Sequence, residues 1–371
     1  MNPESLAASG VSKLTPYQPG KPISELEREL GVSNIVKLAS NENPLGPSPQ
    51  ALAAIRSELA ALQLYPDAGG YALKASLAGK LGVDLAQITL GNGSNDVLEL
   101  VARAFLTANV SAIYAQHAFA VYPIVTQAVG ARACIAKAHD GSRGPRYGHD
   151  LDAMLGLIDA DTRLIFIANP NNPTGTYLNR DELVGFLAQT PDHALVVVDE
   201  AYFEYVDEPD YPNALEWLNN YPNLIVTRTF SKAYGLAGVR VGYAISSPAI
   251  ADLLNRVRQP FNVNSLALAA ASSALFDDEH LEKTVSLNRK GLKLLAEAMA
   301  KRGLDFIPSV GNFITIDVGR AAEPVYQALL REGVIVRPIA NYGLPNHLRV
   351  TVGTDRENQI FLEALDRVLG L

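Results

Sequence analysis

Short apolar runs alternate with longer stretches of helical spacing through the middle of the chain. The strand-like runs lie at 88–90, 112–115, 164–168, 195–198, 224–227 and 242–245, and helical spacing covers stretches that include 95–106 and 181–189. Strands alternating with helices predict a largely parallel sheet with both faces covered. Val196, Val197 and Val198 stand in a row, which suits a strand buried on both sides. After about residue 280 the rhythm changes. An amphipathic helix is predicted over 281–302, a strand over 313–318 and a helix over 323–332. Short strands at 334–337 and 348–352 and a last helix from Asp355 complete what reads as a smaller α+β domain. Segments rich in proline and glycine at 14–22 and 41–49 break the pattern. The first reads as an extended arm. Pro260 marks a candidate hinge, and no internal repeat or low-complexity tract is present.

Composition narrows the function classes. A chain of 371 residues can bury a sizeable core and form more than one domain. Its 48% hydrophobic and 19% charged residues exclude a disordered chain. The net charge of −8 argues against a nucleic-acid binder, although a few local arginines can still make a pocket for anions. Cys134 is the single cysteine, so no disulfide forms within the chain and a cysteine metal site is not expected. Residues 1–14 lack the basic start and apolar run of a secretory signal, and no apolar stretch is long enough to span a membrane. The cytoplasm is the expected compartment.

Ligands of a parallel sheet sit beyond the carboxyl ends of its strands, and several polar groups fall there. Lys232, in Thr229-Phe230-Ser231-Lys232-Ala233-Tyr234, follows the run 224–227 and can form a Schiff base with an aldehyde cofactor. Asp199 closes the valine run, either as a helix cap or as a functional anion. In the second role it can pair with the pyridine nitrogen of pyridoxal phosphate, while Tyr202 hydrogen-bonds the phenolic oxygen. Gly91-Asn92-Gly93-Ser94-Asn95-Asp96 joins a strand to a helix and can cradle a phosphate, although Asp96 stands where a nucleotide fingerprint wants a third glycine. Arg240, with Ser231 and Thr229, can complete the phosphate cup. Asn169-Pro170-Asn171-Asn172-Pro173-Thr174-Gly175 reads as a rigid turn from which Asn172 can reach the phenolic oxygen. Phe119 can stack on a pyridine face. Each residue alone has an ordinary structural explanation; their joint occurrence in this order points to one cofactor.

With these residues in view, the sequence resembles the aspartate-aminotransferase-like, fold-type I pyridoxal-phosphate enzymes and, more closely, the histidinol-phosphate aminotransferase family. The shared blocks span nearly the whole chain: Pro16-Tyr17-Gln18-Pro19-Gly20-Lys21-Pro22, Asn41-Glu42-Asn43-Pro44, Tyr65-Pro66-Asp67, 91–96, 169–175, 198–202, 229–242 and 348–353. The resemblance implies an α/β large domain with a mostly parallel seven-stranded sheet between helices, plus the smaller α+β domain. Residues 1–40 are then the N-terminal arm and part of the small domain, 41–262 the large cofactor-binding domain, and 263–371 the small C-terminal domain.

The resemblance also implies roles. Lys232 carries the cofactor and moves the proton. Asp199 holds the pyridinium, Tyr202 and Asn172 the phenolic oxygen, and Phe119 the ring face. Ser94, Asn95, Thr229, Ser231 and Arg240 hold the phosphate. Tyr65 reaches the phosphate of the neighbouring subunit, which makes the active unit a homodimer. Arg349 grips the substrate anion and Arg337 adds a second positive charge, while Tyr17 and Asn43 close the pocket. Lys21 belongs to the arm block without an assigned contact, and His117 reads as a packing residue. The expected reaction transfers the amino group between L-histidinol phosphate and 2-oxoglutarate. An aromatic-amino-acid aminotransferase, a threonine-phosphate decarboxylase and a cofactor-binding regulator are the competing readings.

Overall fold

The valine run becomes the strand Leu195–Asp199, the middle member of a seven-stranded sheet. In the computed structural model, which describes residues 3–371, the order across that sheet is Ile88–Gly91, Gly242–Ser246, Leu224–Thr229, Leu195–Asp199, Thr162–Ala168, Ser111–Ala115 and Arg132–Ala136. The expected arm and the reading of its start include Met1 and Asn2, which lie outside the described residues. Gly242–Ser246 runs antiparallel to both neighbours, and every other pair is parallel. Arg132–Ala136 has no counterpart in the predicted runs. It is an edge strand whose Arg132, Ala133 and Ile135 are exposed, so no continuous apolar run marks it.

Side chains alternate across the central strands and feed separate cores. Phe166, Val197 and Ile225 pack with Val97, Leu98, Val101 and Tyr122 on one face. Ile165, Ile167, Val196, Val198 and Val226 pack with Leu73, Leu77 and Phe186 on the other. The alanine-rich helix Ser265–Ala274 joins this second core through Ala267, Ala270, Ala271 and Ala274. The packing around the large sheet therefore continues past residue 262 to Leu275.

The second layer is an antiparallel sheet ordered Arg337–Pro338, His347–Thr351, Phe313–Asp317 and Phe306–Ile307. Helices Asp278–Lys301, Ala322–Arg331 and Asp355–Leu369 cover it and share a core with Leu295, Met299, Ile314, Leu348, Val350 and Phe361. The run expected at 334–337 divides: Val334–Ile335 pairs in parallel with Val36–Lys37, and Arg337–Pro338 joins the four-stranded sheet. The segment before residue 41 is thus stitched to the last third of the chain. Among the described residues, no helix is long and apolar enough to cross a membrane. None of their His, Cys, Asp and Glu side chains form a group of three or more that could hold a metal ion.

Residues 14–22 contain no helix or strand and lead into the helix Ile23–Leu30. Lys21 pairs with Glu25 at 3.0 Å and Glu29 at 2.5 Å, so it fastens the arm to that helix.

Candidate active site

Parallel register sets Asp199 beside Thr227 at the carboxyl ends of adjacent strands. Thr227 donates its hydroxyl to Asp199 Oδ1 at 2.9 Å, and Tyr122 donates to Oδ2 at 2.8 Å. Asp199 is 4% exposed. Burial pushes its carboxyl above the usual carboxylate range, and the two hydroxyls pull it back. The buried carboxylate therefore has room for a cationic N–H partner and an electrostatic need for one. Sequence reasoning missed Tyr122 as the donor. Its ring lies flat on Phe166, with centroids 4.8 Å apart, and nothing in its own short motif announces the contact.

Lys232 points into the same pocket and donates to the Ser40 carbonyl at 3.0 Å. Burial, then the nearby Arg349 and Arg240 charges, push its amine down to about 7, against the pull of Glu42 and Asp199. A lysine so placed is part neutral amine near neutral pH, the form that attacks an aldehyde.

At one end of the pocket the twelve-residue helix Ser94–Phe105 begins directly after Gly93, whose φ is +88°. The unpaired N–H groups of its first turn and its dipole favour an anion. A Cβ on Gly93 would stand 2.1 Å from Arg240 Nη2, and one on Gly242 would stand 2.4 Å from the Ser94 nitrogen. Both glycines are needed for Arg240 and the neighbouring strand to lie against the helix start. Arg240 donates to Ser231 Oγ at 3.0 Å, and Thr229 Oγ1 accepts from the Ser231 N–H at 3.1 Å. Ser94, Asn95, Thr229, Ser231 and Arg240 all line the cavity. Asp96, at the third-glycine position, accepts from the Asn92 N–H and from Asn262, each at 2.8 Å, and so braces the turn.

The other side carries the remaining cations. Arg349 donates to Asn172 Oδ1 at 2.5 Å and to the Ala39 carbonyl at 2.7 Å, while its buried Nε has no protein partner. Arg337 donates to the Gln18 carbonyl, and its guanidinium lies 5.6 Å from the centre of the Tyr17 ring. Phe119 and Tyr202 also line the pocket.

Two expected residues lie elsewhere. Asn43 does not line the pocket. Its amide donates to the Ala233 carbonyl at 2.9 Å and to Thr284 Oγ1 at 3.0 Å, which supports the lysine loop from behind. Its neighbour Asn41 stands in the pocket instead. The Asn-Glu-Asn block signalled an asparagine there but not which of the two. Tyr65 is 81% exposed, stacked on Phe261 at 4.7 Å, and is absent from the lining of its own chain's pocket. His117 is buried, with Nδ1 2.6 Å from the Tyr342 carbonyl.

These groups fit pyridoxal phosphate. The helix start with Arg240 suits a phosphate, the buried Asp199 a pyridinium N–H, and the depressed Lys232 amine an aldehyde.

Known proteins agree with that chemistry. The model of the aminotransferase class I and II family matches residues 33–365. Histidinol-phosphate aminotransferase 2 of Methylococcus capsulatus is 65% identical over 369 residues, covering 100% of both chains. Histidinol-phosphate aminotransferase 2 of Pseudomonas aeruginosa is 59% identical over 367 residues, covering 98% of each. The crystal structure of histidinol-phosphate aminotransferase from Sinorhizobium meliloti in complex with pyridoxal-5'-phosphate is similar with a TM-score of 0.89 and 29% identity, covering 98% of this chain and 97% of that one. The chain therefore belongs to the aminotransferase class I and II family, among its pyridoxal-phosphate-dependent histidinol-phosphate aminotransferases.

Proposed function

We propose that this protein transfers the amino group of L-histidinol phosphate to 2-oxoglutarate, giving imidazole-acetol phosphate and L-glutamate, in L-histidine biosynthesis. The observation that carries the substrate choice is the pair Arg349 and Arg337 in one pocket with Lys232 and Asp199. One cationic end can receive both a phosphate ester and a carboxylate in turn. The names of the relatives at 65% and 59% identity support the same choice.

Bound pyridoxal phosphate supplies the aldehyde and the electron-withdrawing ring. The chain's own residues do the rest. Lys232 Nζ, with its amine pushed down to about 7, both accepts and returns the proton of the substrate's α-carbon near neutral pH. Asp199, oriented by the hydroxyls of Tyr122 and Thr227, would hold the ring nitrogen's proton in place. Ser94, Asn95, Thr229, Ser231 and Arg240 hold the phosphate. Tyr202 and Asn172 face the phenolic oxygen and Phe119 the ring. Arg349 and Arg337 orient the substrate anion, with Tyr17 at the rim.

We also read the active unit as a cytoplasmic homodimer in which Tyr65 serves the partner's phosphate site. Its exposure and its absence from its own chain's pocket support that reading. We divide the chain into an arm with part of the small domain (1–40), a large domain (41–262) and a C-terminal small domain (263–371), with the helix Ser265–Ala274 packing back on the large sheet.

The test is the absorbance spectrum of the purified protein before and after adding L-histidinol phosphate without a keto acid. The visible band of the bound cofactor is expected to fall, and to return with 2-oxoglutarate. A band that ignores histidinol phosphate and responds to phenylalanine would move the assignment to an aromatic aminotransferase. Release of carbon dioxide from added O-phosphothreonine, without glutamate formation, would make the protein a decarboxylase.

A further inference from the structure

Asn41 stands where the two layers meet, 1% exposed, with a φ of +55° that asparagine tolerates better than most residues. Its backbone N–H donates to Thr351 Oγ1 at 2.9 Å, and its carbonyl accepts from Asn312 Nδ2 at 3.0 Å. The Thr351 hydroxyl in turn donates to Asn41 Oδ1 at 3.1 Å. Because that oxygen is committed to Thr351, the other end of the amide is fixed as the donor. Asn41 Nδ2 donates to the Tyr202 hydroxyl oxygen at 2.8 Å. Tyr202 lines the pocket and is 3% exposed, and burial pushes its hydroxyl up to about 12, with the Asn41 bond acting in the opposite direction. With one lone pair occupied by Asn41, the hydroxyl directs its own proton elsewhere, and the open direction is the pocket.

We propose that Asn41, oriented by Thr351, is the positioning residue that turns the Tyr202 proton toward the phenolic oxygen of the cofactor. Thr351 lies two residues from Arg349 on the strand His347–Thr351, so both side chains leave the same face of that strand. The strand that grips the substrate anion is therefore also the strand that sets the tyrosine's proton. The inference rests on bound pyridoxal phosphate and not on the identity of the amino donor.

A proton donated to the phenolic oxygen stabilises its anionic form, which holds down the pH at which the visible band of the bound cofactor changes. The experiment is a pH titration of that band in the holoenzyme with no substrate present. Thr351→Val keeps the side chain's shape and removes the hydroxyl that orients the amide. Asn41→Gly keeps the positive φ and removes the donor. Each is expected to raise the midpoint by roughly half a pH unit or more, the size expected from one lost hydrogen bond. Thr351→Ser is expected to restore the wild-type midpoint. In a Tyr202→Phe background, neither Asn41→Gly nor Thr351→Val is expected to add a further shift. An unchanged midpoint in both single variants overturns the proposal, as does a shift that persists without the Tyr202 hydroxyl. The Thr351 pair decides the matter even if Asn41→Gly fails to fold. No amino donor is added, so failure of the substrate assignment leaves this readout intact.

Discussion

Tyr122 and Asp199 meet hydroxyl to carboxylate at 2.8 Å, one from a helix and the other from the end of a strand. The contact joins the helix that follows the Phe119 loop to the anion proposed to hold the cofactor ring. Tyr122→Phe leaves Thr227 as the remaining side-chain hydroxyl on Asp199 and lets burial push the carboxyl further up. The expected result is weaker pyridoxal-phosphate binding by about tenfold, the cost of one hydrogen bond to a charged group. Equilibrium dialysis measures it, and Thr227→Val should shift affinity in the same direction.

Lys232 makes the apoprotein's stability depend on pH. Its amine is held below the ordinary lysine value of 10.5, at about 7, so between those values the unfolded chain binds more protons than the folded one. Stability from this group is therefore lowest below about pH 7 and rises as pH climbs toward the unfolded value. The thermal midpoint of the apoprotein, measured against Lys232→Leu, should gain on the variant from pH 7 to pH 10 and stay level below it. A difference that does not change with pH would mean the amine is not depressed.

Arg349 and Arg337 should separate in kinetics. Arg349 is buried with fixed partners, and Arg349→Lys loses the planar fork that meets a carboxylate or phosphate. KM should rise for both substrates, by about tenfold or more. Arg337→Gln should raise KM for histidinol phosphate more than for 2-oxoglutarate, since the second positive charge matters most to a phosphate, which carries up to two negative charges on one group, where each carboxylate carries one. Steady-state kinetics with each substrate varied in turn reads the contrast.

If the proposed homodimer holds, Tyr65 is the residue through which its two subunits complement. Tyr65→Ala and Lys232→Ala proteins, unfolded together and refolded, should yield more activity than the sum of the two alone. A mixed dimer carries one site with both native residues. No gain on mixing would return Tyr65 to its own chain's surface.

Behind the site, Arg228 donates to Glu200 Oε2 from Nε at 2.9 Å and from Nη2 at 2.7 Å, and both residues are almost fully buried. They sit one residue from Asp199 and from Thr227 and Thr229. Arg228→Met strands the Glu200 charge and should cost about 3–5 kcal/mol of stability. A denaturant midpoint measures it, and the cofactor affinity should fall with it because the strand ends lose their brace.

Much of the fold and of the candidate site is legible in the sequence. The central strands could be read because both faces are buried, which leaves continuous apolar runs such as 195–198. Arg132–Ala136 could not, because an edge strand with exposed positions has no such run. The candidate cofactor residues are legible where local sequence places them in the pocket: a lysine after a strand, a glycine turn before a helix. The residues that tune them are not. Tyr122, Thr227 and Asn41 act through long-range contacts, at sequence separations no motif records. The choice between Asn41 and Asn43 turns on which side chain the positive φ at Asn41 directs inward, and that depends on Thr351 and Asn312 from the far end of the chain.

The parallel pairing of Val36–Lys37 with Val334–Ile335 also has a consequence for how the protein is made. During synthesis the first strand of the pair leaves the ribosome long before its partner exists. The large sheet, whose strands all lie within residues 88–246, can condense first. The early segment, with Asn41 at its end, must wait unpaired until Thr351 and Arg349 emerge. On the proposed roles, only a finished chain can then grip a substrate anion, and a truncated product would lack the arginine side of the pocket.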